Sequence, residues 1–191
     1  MPRLSGKREV VTGWLYDAAV LSGTITEVTY FQSPKGQAGT GIATKTFVDT
    51  NVEAGAGFLA GVKAFVIKSM LYKIEDCQPS DDLCTIISQG FGVLKISDKP
   101  YPSPFPVWLI TGGPGLFDNV RGPAAAPDFR GTVGPGNIAN VLKLHSMLPV
   151  PINTLEPFSF DFQWPGGITI SSGTSIKTWI VLFGFLKRQV A

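Results

Sequence analysis

The stretch Phe158-Ser-Phe-Asp-Phe-Gln-Trp164 carries the clearest structural signal in this chain. Aromatic side chains stand at every second position and alternate with serine, aspartate and glutamine. Successive side chains of a β-strand point to opposite faces, so this pattern predicts a half-buried strand whose aromatic face packs in the core. No helix gives that period. Pro157 before the stretch and Pro165-Gly-Gly after it are expected to end the strand.

Shorter apolar runs, bounded by Gly, Pro and polar residues, recur outside this stretch. They predict further strands at 25–31, 42–48, 62–74, 84–87, 91–96, 107–110, 138–144, 168–170 and 175–187. Helical patterns are few, and the two candidates, at 15–21 and 49–59, are weak. The predicted fold class is all-β: a single jelly-roll barrel or sandwich of about eight strands, with long loops between unevenly spaced strands.

The whole chain, residues 1–191, is expected to form one domain, since its length fits a single core and no linker or internal repeat divides it. An extended N-terminal arm is expected to precede the main body of the domain. The segment 112–136 contains repeated prolines and glycines. It is predicted to be a long surface loop without regular structure, available for contact with a neighbouring subunit.

Charged residues make up only 16% of the chain, against about 25% in an average soluble domain. Hydrophobic residues make up 44%, and phenylalanine alone occurs 13 times. A monomer needs polar groups to cover its surface, so this composition indicates that other molecules cover part of it. Identical subunits are the simplest cover, which favours a homo-oligomer.

The run 175–187 gives the strongest indication of assembly, because both of its faces are apolar. One face would pack in the domain's own core, whereas the other needs a second sheet or a neighbouring subunit. The first of these two faces is formed by Ile176, Ile180, Leu182 and Leu186. The predicted assembly interface consists of Trp179, Val181, Phe183 and Phe185 on the opposite face, together with Phe117 and Phe129 of the 112–136 segment.

Residues that could carry catalysis or bind a metal are scarce, so the chain is not expected to be an enzyme. The one histidine, His145, has Ser146 beside it, but neighbours on a strand point to opposite faces, and a triad would also need an acid to orient the imidazole. Asp76, Asp81 and Asp82 could ligate calcium, but a solvated acidic turn is the simpler interpretation. No catalytic residue, metal site, cofactor or small-molecule substrate is predicted.

The two cysteines, Cys77 and Cys84, bracket a polar segment. Without a histidine or a third cysteine nearby, they are not expected to form a zinc site. A disulfide between them requires oxidising conditions, and two free thiols are the expectation for a protein made in the cytosol.

The net charge of +2 and the scattered basic residues give no basic stripe of the kind that binds nucleic-acid phosphates. Small basic clusters lie at 3–8 and 187–188; solvated termini are the simpler interpretation, and arms that touch an anionic partner are the other. No signal-peptide pattern is visible, and the longest apolar run, 179–186, is far shorter than a membrane span. The protein is expected to be made in the cytoplasm and to be soluble when synthesised.

Three segments in a fixed order carry a resemblance to a known family. Asp49-Thr-Asn-Val-Glu-Ala-Gly leads into the strand at 62–72, Leu148-Pro-Val-Pro-Ile-Asn-Thr-Leu-Glu-Pro precedes 158–164, and Trp164-Pro-Gly-Gly leads to the closing strand at 177–187. In this layout the chain resembles the small single-barrel capsid proteins of tailless, membrane-containing icosahedral viruses of bacteria and archaea, the kind found in Thermus phages and haloarchaeal viruses.

The resemblance implies a jelly-roll barrel that stands upright on the shell, self-assembles into capsomers and lies above an internal membrane. The expected function is that of a structural virion protein that assembles into an icosahedral capsid, with other capsid proteins and the viral membrane as further partners. The alternative is a carbohydrate- or receptor-binding β-sandwich, either a virion spike or a lectin-like module, with exposed aromatic residues in a groove.

Overall fold

The protein is described from a computed structural model. It describes residues 8–53, 57–59, 63–75, 80–101, 104–111, 116–121, 128–133, 142–143, 150–171 and 174–189. Most of these residues lie in antiparallel β-strands and few lie in helices, which confirms the expected all-β class.

The strands and helices follow one another along the chain within these described ranges. The strands are β1 Arg8–Leu21, β2 Thr24–Tyr30, β3 Lys63–Ile74, β4 Phe91–Ile96, β5 Lys99–Pro100, β6 Phe105–Pro106, β7 Leu116–Arg121, β8 Asp128–Val133, β9 Leu142–Lys143, β10 Val150–Ile152, β11 Phe158–Thr169 and β12 Ile176–Gln189. The helices are α1 Ser80–Gln89 and α2 Val107–Ile110.

Two antiparallel sheets contain most of the strands. Sheet A has the order β1-β12-β3-β10, and β9 also pairs with β3. Sheet B has the order β2-β11-β4-β5, and β6 also pairs with β4. In sheet A, β12 pairs with β1 along the whole length of both strands, from Leu21 opposite Ile176 to Arg8 opposite Gln189. The long strand β12 is therefore central, with β1 on one side and β3 on the other.

The inner faces of the two sheets meet in one aromatic core. The ring centroids of Tyr72 on sheet A and Phe162 on sheet B lie 4.1 Å apart, and Tyr30 packs edge-on against both rings. Trp164 is fully buried, and its indole N–H donates to the carbonyl of Ile86 at 3.0 Å. That hydrogen bond holds α1 against sheet B, so the core continues under the helix.

The aromatic alternation of 158–164 is confirmed as the centre of this core. All four aromatic side chains of the stretch are 2% exposed or less. The prediction that Pro165-Gly-Gly ends the strand is wrong, because β11 continues to Thr169. The pairing with β2 shifts register between Gln163 and Ile168, so an irregularity in the ladder accommodates the proline, which has no N–H to donate.

The other strand predictions are confirmed at some positions and wrong at others. The strands at 25–31, 62–74, 91–96 and 175–187 are confirmed within one or two residues, and 168–170 lies largely within β11. The strand at 84–87 is wrong, because Leu83 and Ile86 are buried at helical spacing in α1. The strand at 107–110 is likewise the short helix α2. Residues 42–48 lie in bends and turns.

From Arg8 onward the N-terminal region forms β1, an edge strand of sheet A. Residues 1–7 lie outside the described residues, and the extended arm stays a prediction. The weak helix prediction at 15–21 is wrong, because these residues lie in β1. Leu15, Asp17, Ala19 and Leu21 are all buried, which is the period of two expected of a strand with one face on the core.

The segment 112–136 is not devoid of regular structure, because its described part forms an antiparallel hairpin. Strands β7 and β8 pair from Leu116 opposite Val133 to Arg121 opposite Asp128. The prolines of the segment fall outside both strands, so each strand keeps the N–H groups that its ladder needs. The prediction counted prolines over the whole segment and missed the two proline-free runs between them.

Candidate assembly surface

The side of sheet A that faces away from the core is apolar over much of its length. On β12, Trp179, Val181 and Phe183 are partly exposed and Phe185 is 39% exposed. Among the alternate residues, Ile176, Ile180 and Leu182 are buried, and Leu186 is partly buried against the core. The two-faced pattern predicted for 175–187 therefore matches the burial: one face lies in the core and the other lies on the surface of the described protein.

The neighbouring strands extend this apolar surface on both sides. Register places Trp14 of β1 opposite Phe183, and Trp14 is 59% exposed. Val181 lies between Tyr16 of β1 and Leu71 of β3. The outer face of sheet A is defined here as Val10, Trp14, Tyr16, Leu71, Trp179, Val181, Phe183 and Phe185. Val10, Trp14 and Phe185 are exposed, and the other five side chains of the face are partly exposed.

Lysine side chains lie over the aromatic rings of the outer face. The ammonium groups of Lys73 and Lys177 lie 4.7 Å and 5.1 Å from the Trp179 ring centroid. Lys68 lies 5.7 Å from the centroid of Phe185. Such cation–π contacts keep the rings partly covered while the ammonium groups stay hydrated. The outer face is therefore aromatic at its centre and positively charged along the β3 side.

A tight turn, residues 46–50, carries two strongly exposed apolar side chains beside the outer face. Phe47 is 65% exposed and Val48 is 70% exposed. The indole N–H of Trp179 donates to the Val48 carbonyl at 3.2 Å, and the Tyr16 hydroxyl donates to the Phe47 carbonyl. These two bonds attach the turn to sheet A. Phe47 and Val48 are called the knob below.

Asp49 holds the turn in shape. One carboxylate oxygen accepts hydrogen bonds from the amide and the hydroxyl of Thr46 at 2.7 Å and 2.8 Å, and the other accepts from Lys177 at 2.5 Å. Burial by itself would raise the pKa of Asp49, but the bonds from Lys177 and Thr46 outweigh burial and hold the pKa below its ordinary value. The ionised carboxylate therefore stabilises the turn.

The lowered pKa of Asp49 predicts a stability effect at acidic pH. A carboxyl with a lower pKa in the folded state contributes stability above its ordinary pKa, and the contribution is lost as pH falls through the lowered value. We expect the free energy of unfolding to fall less steeply for Asp49→Asn than for the wild type between about pH 5 and about pH 2. Urea denaturation at several pH values measures both slopes, and equal slopes would contradict the assignment.

Below the turn lies a buried ion pair between Asp17 of β1 and Lys45. The Lys45 ammonium lies 2.6 Å and 2.8 Å from the two carboxylate oxygens of Asp17, and the side chains are 3% and 0% exposed. Asp17 also accepts the Phe31 amide N–H at 2.6 Å. Burial raises the pKa of Asp17, although Lys45 and the Phe31 amide act in the opposite direction. The pair fixes the chain immediately before the knob to the core.

A cavity of about 250 Å³ opens next to Trp14, at the end of the sandwich where β12 finishes. Its apolar lining comes from Leu15, Val52, Phe58, Leu59, Phe65 and Leu186. Glu53 and Lys63 also line it, with 3.5 Å between their charged atoms. This cavity is called the β1 pocket below. Trp14 belongs both to the pocket and to the outer face, so the two surfaces are continuous.

Comparisons of the chain with protein-family models, curated proteins and solved structures give no match. The surface must therefore be interpreted from its own chemistry. In the part of the chain that the structure describes, no group of histidine, cysteine or acidic residues could hold a metal ion. No helix in those ranges is long and apolar enough to cross a membrane.

Four of the residues predicted for the interface, Trp179, Val181, Phe183 and Phe185, lie together on the outer face. The structure describes Phe117 and Phe129 by their strand positions, on β7 opposite Thr132 and on β8 opposite Val120. Cys84 is exposed on α1, and Cys77 lies outside the described residues, so their disulfide stays a prediction. His145 and Asp76 also lie outside the described residues.

Sequence reasoning missed Trp14, the knob and the β1 pocket. Val10, Trp14 and Tyr16 stand at even positions, which would place them on one face of β1, but Val11 and Leu15 on the other face are apolar as well. No local pattern identifies the knob, because its exposure depends on the distant partners Asp17 and Lys177.

Proposed function

We propose that this protein is a structural, non-enzymatic subunit of a virion capsid, and that it assembles with copies of itself through the outer face of sheet A. The observation that carries the proposal is the aromatic outer face, in which Trp14 on the edge strand β1 and Phe183 and Phe185 on the central strand β12 are partly or largely exposed. Further capsid proteins and an internal membrane are additional partners under this proposal, and the virion is its location.

The size of the outer face supports a stable contact. Strands β1 and β12 have 14 residues each and β3 has 12. At about 3.3 Å per residue and about 4.8 Å between strands, the three give a surface of roughly 650 Å². Each partner in a typical stable interface buries about 800 Å². The outer face with the adjoining knob therefore approaches the area that a specific subunit contact requires.

The strand order supports a jelly roll as the finer fold. With β5 and β6 taken as one strand, and β7 to β9 left aside, the described sheets contain eight strands. The first pairs with the last, β2 with β11, β3 with β10, and β4 with β5 and β6. Strands pair in this way when one long antiparallel hairpin folds over so that its strands lie in two facing sheets. Jelly rolls of this kind occur in viral capsid and lectin domains.

The binding-module alternative draws its support from the exposed ring of Trp14, since a flat aromatic surface can stack against a sugar. The remaining tryptophan on the outer face is less suited to this role, because Lys73 and Lys177 lie over the Trp179 ring. Saturable binding to a glycan by the dilute monomer, with no association between subunits, would favour the alternative.

A matched pair of substitutions tests the proposed function. Trp14 and Trp108 are 59% and 58% exposed, but only Trp14 lies on the outer face. Trp14→Lys places a charge in the proposed contact and is expected to raise the concentration needed for half-maximal assembly at least tenfold. Trp108→Lys introduces the same change elsewhere and is expected to leave assembly unchanged. Sedimentation velocity over a concentration series measures both.

Two outcomes would contradict the proposal. The first is a wild-type protein that stays monomeric at every concentration, because the proposal requires self-assembly. Equal effects of Trp14→Lys and Trp108→Lys would show that the outer face is not the contact.

A further inference from the structure

We infer that the knob of one subunit inserts into the β1 pocket of a second copy of this chain. The inference rests on the proposed assembly and adds the identity of the central contact. It follows from three features: an apolar projection held rigidly, an apolar cavity of suitable size on the same surface, and charged side chains beside the two.

The knob is rigid although its side chains are exposed. Phe47 and Val48 lie between the Lys45–Asp17 ion pair on one side and the Asp49–Lys177 ion pair on the other. Their two carbonyl groups accept hydrogen bonds from Tyr16 and Trp179. A preformed projection loses little conformational entropy on docking, which is the property expected of an interface anchor.

The β1 pocket has the volume and the lining that an aromatic side chain needs. Its volume is about 250 Å³, and an apolar cavity of about 150 Å³ already accepts a benzene molecule. Most of the lining side chains are aliphatic or aromatic. A phenyl ring entering this space would exchange solvent contact for apolar contact on both partners.

A lysine lies beside the knob, and the pocket is lined by one acidic and one basic side chain, Glu53 and Lys63. The ammonium group of Lys35 lies 3.6 Å from the centroid of the Phe47 ring, so the knob carries a positive charge into the contact. Glu53 lines the pocket with its side chain 59% exposed, and its existing partner Lys63 lies 3.5 Å away at the surface. When Phe47 is docked, Lys35 would lie close to Glu53. Such a pair fixes the orientation of the two subunits more than it adds affinity.

Disulfide trapping between two different chains tests the contact directly. One chain carries Val48→Cys, which keeps the Phe47 ring of the knob. The other carries Gly13→Cys, a position that lines the pocket and where an added Cβ meets only Leu186, at 3.9 Å. The mixture is assembled, oxidised gently and digested. The native cysteines stay in place, because mass spectrometry of the peptides identifies which pair has joined. The control mixture replaces Val48→Cys with Leu155→Cys, a substitution at another exposed apolar residue.

The expected result is a disulfide between positions 48 and 13 of different chains, at least about tenfold more abundant than any disulfide between positions 155 and 13. Assemblies that form without the 48–13 disulfide would overturn the knob contact and leave the proposed function standing. Chains that do not assemble at all would overturn both.

Discussion

Replacing Lys45 with methionine is expected to lower the free energy of unfolding by about 3–5 kcal/mol, because it leaves a buried carboxylate without its counterion. Asp17 is fully buried, and after the change it keeps the Phe31 amide N–H as a hydrogen-bond donor. That amide belongs to a residue with φ of 70°, a left-handed conformation that a non-glycine residue adopts only when its surroundings hold it there. The substitution therefore weakens the contact between Asp17 on β1 and Phe31, the residue that follows β2.

Urea denaturation measures this loss, and an exposed lysine provides the matched control. Lys63→Met removes a cation 3.5 Å from Glu53 with both side chains more than a third exposed, so it should cost at most about 1 kcal/mol. The double variant Asp17→Asn with Lys45→Met should recover part of the loss, because an asparagine oxygen still accepts the Phe31 N–H. A loss for Lys45→Met no larger than that for Lys63→Met would contradict the buried-pair account.

Replacing Phe162 with alanine is expected to lower the free energy of unfolding by about 3–5 kcal/mol. Its ring is fully buried and packs against Tyr30, Tyr72, Phe160 and Trp164. Removing it leaves a cavity at the centre of the contact between the two sheets, where neighbouring rings can relax only in part.

The next residue along β11 is the control for this prediction. Gln163 points to the opposite face and donates to Glu27 at 3.2 Å on the solvent side, so Gln163→Ala should change stability by about 0.5 kcal/mol or less. Thermal or urea denaturation distinguishes the two variants. Similar losses for both would mean that the alternation of the strand does not set which face is buried.

The fold class could be predicted from the sequence because the core-forming strands carry strong local patterns. The 158–164 stretch alternates aromatic and polar residues, the 175–187 run is apolar on both faces, and both form long strands. The errors fall where the pattern was short. The four residues at 84–87 are too few to distinguish a strand from a helix, and Ile86 lies in a helix that bonds to Trp164. The hairpin at 116–133 was missed because composition was averaged over a segment whose prolines lie between its strands.

Asp161 on β11 of sheet B shows what the alternation of apolar and polar residues could not predict. The alternation places it on the solvent face of β11, yet it is 2% exposed and its carboxylate lies 2.5 Å from the ammonium of Lys95 on β4. The register of β11 against β4 places Asp161 two residue pairs from Lys95, and that register is not encoded in either strand alone.

The candidate surface could be predicted in part. Trp179, Val181, Phe183 and Phe185 were identifiable because an apolar face of a strand must be covered by something. Trp14 and Phe47 were not, because their positions depend on pairing between β1 and β12 and on ion pairs that join residues far apart in sequence. Long-range contacts of this kind fix a surface without leaving a local signature.

Oxidative footprinting by mass spectrometry tests most directly whether the outer face of sheet A is covered by another subunit. The wild-type protein is labelled at increasing concentration, and the reactivities of Trp14 and Trp108 are compared, since the two side chains are exposed almost equally in the single chain. We predict that Trp14 becomes protected as the protein is concentrated while Trp108 stays reactive. Equal reactivity of both residues at every concentration would mean that the aromatic face stays open to solvent, and the assembly account would be wrong.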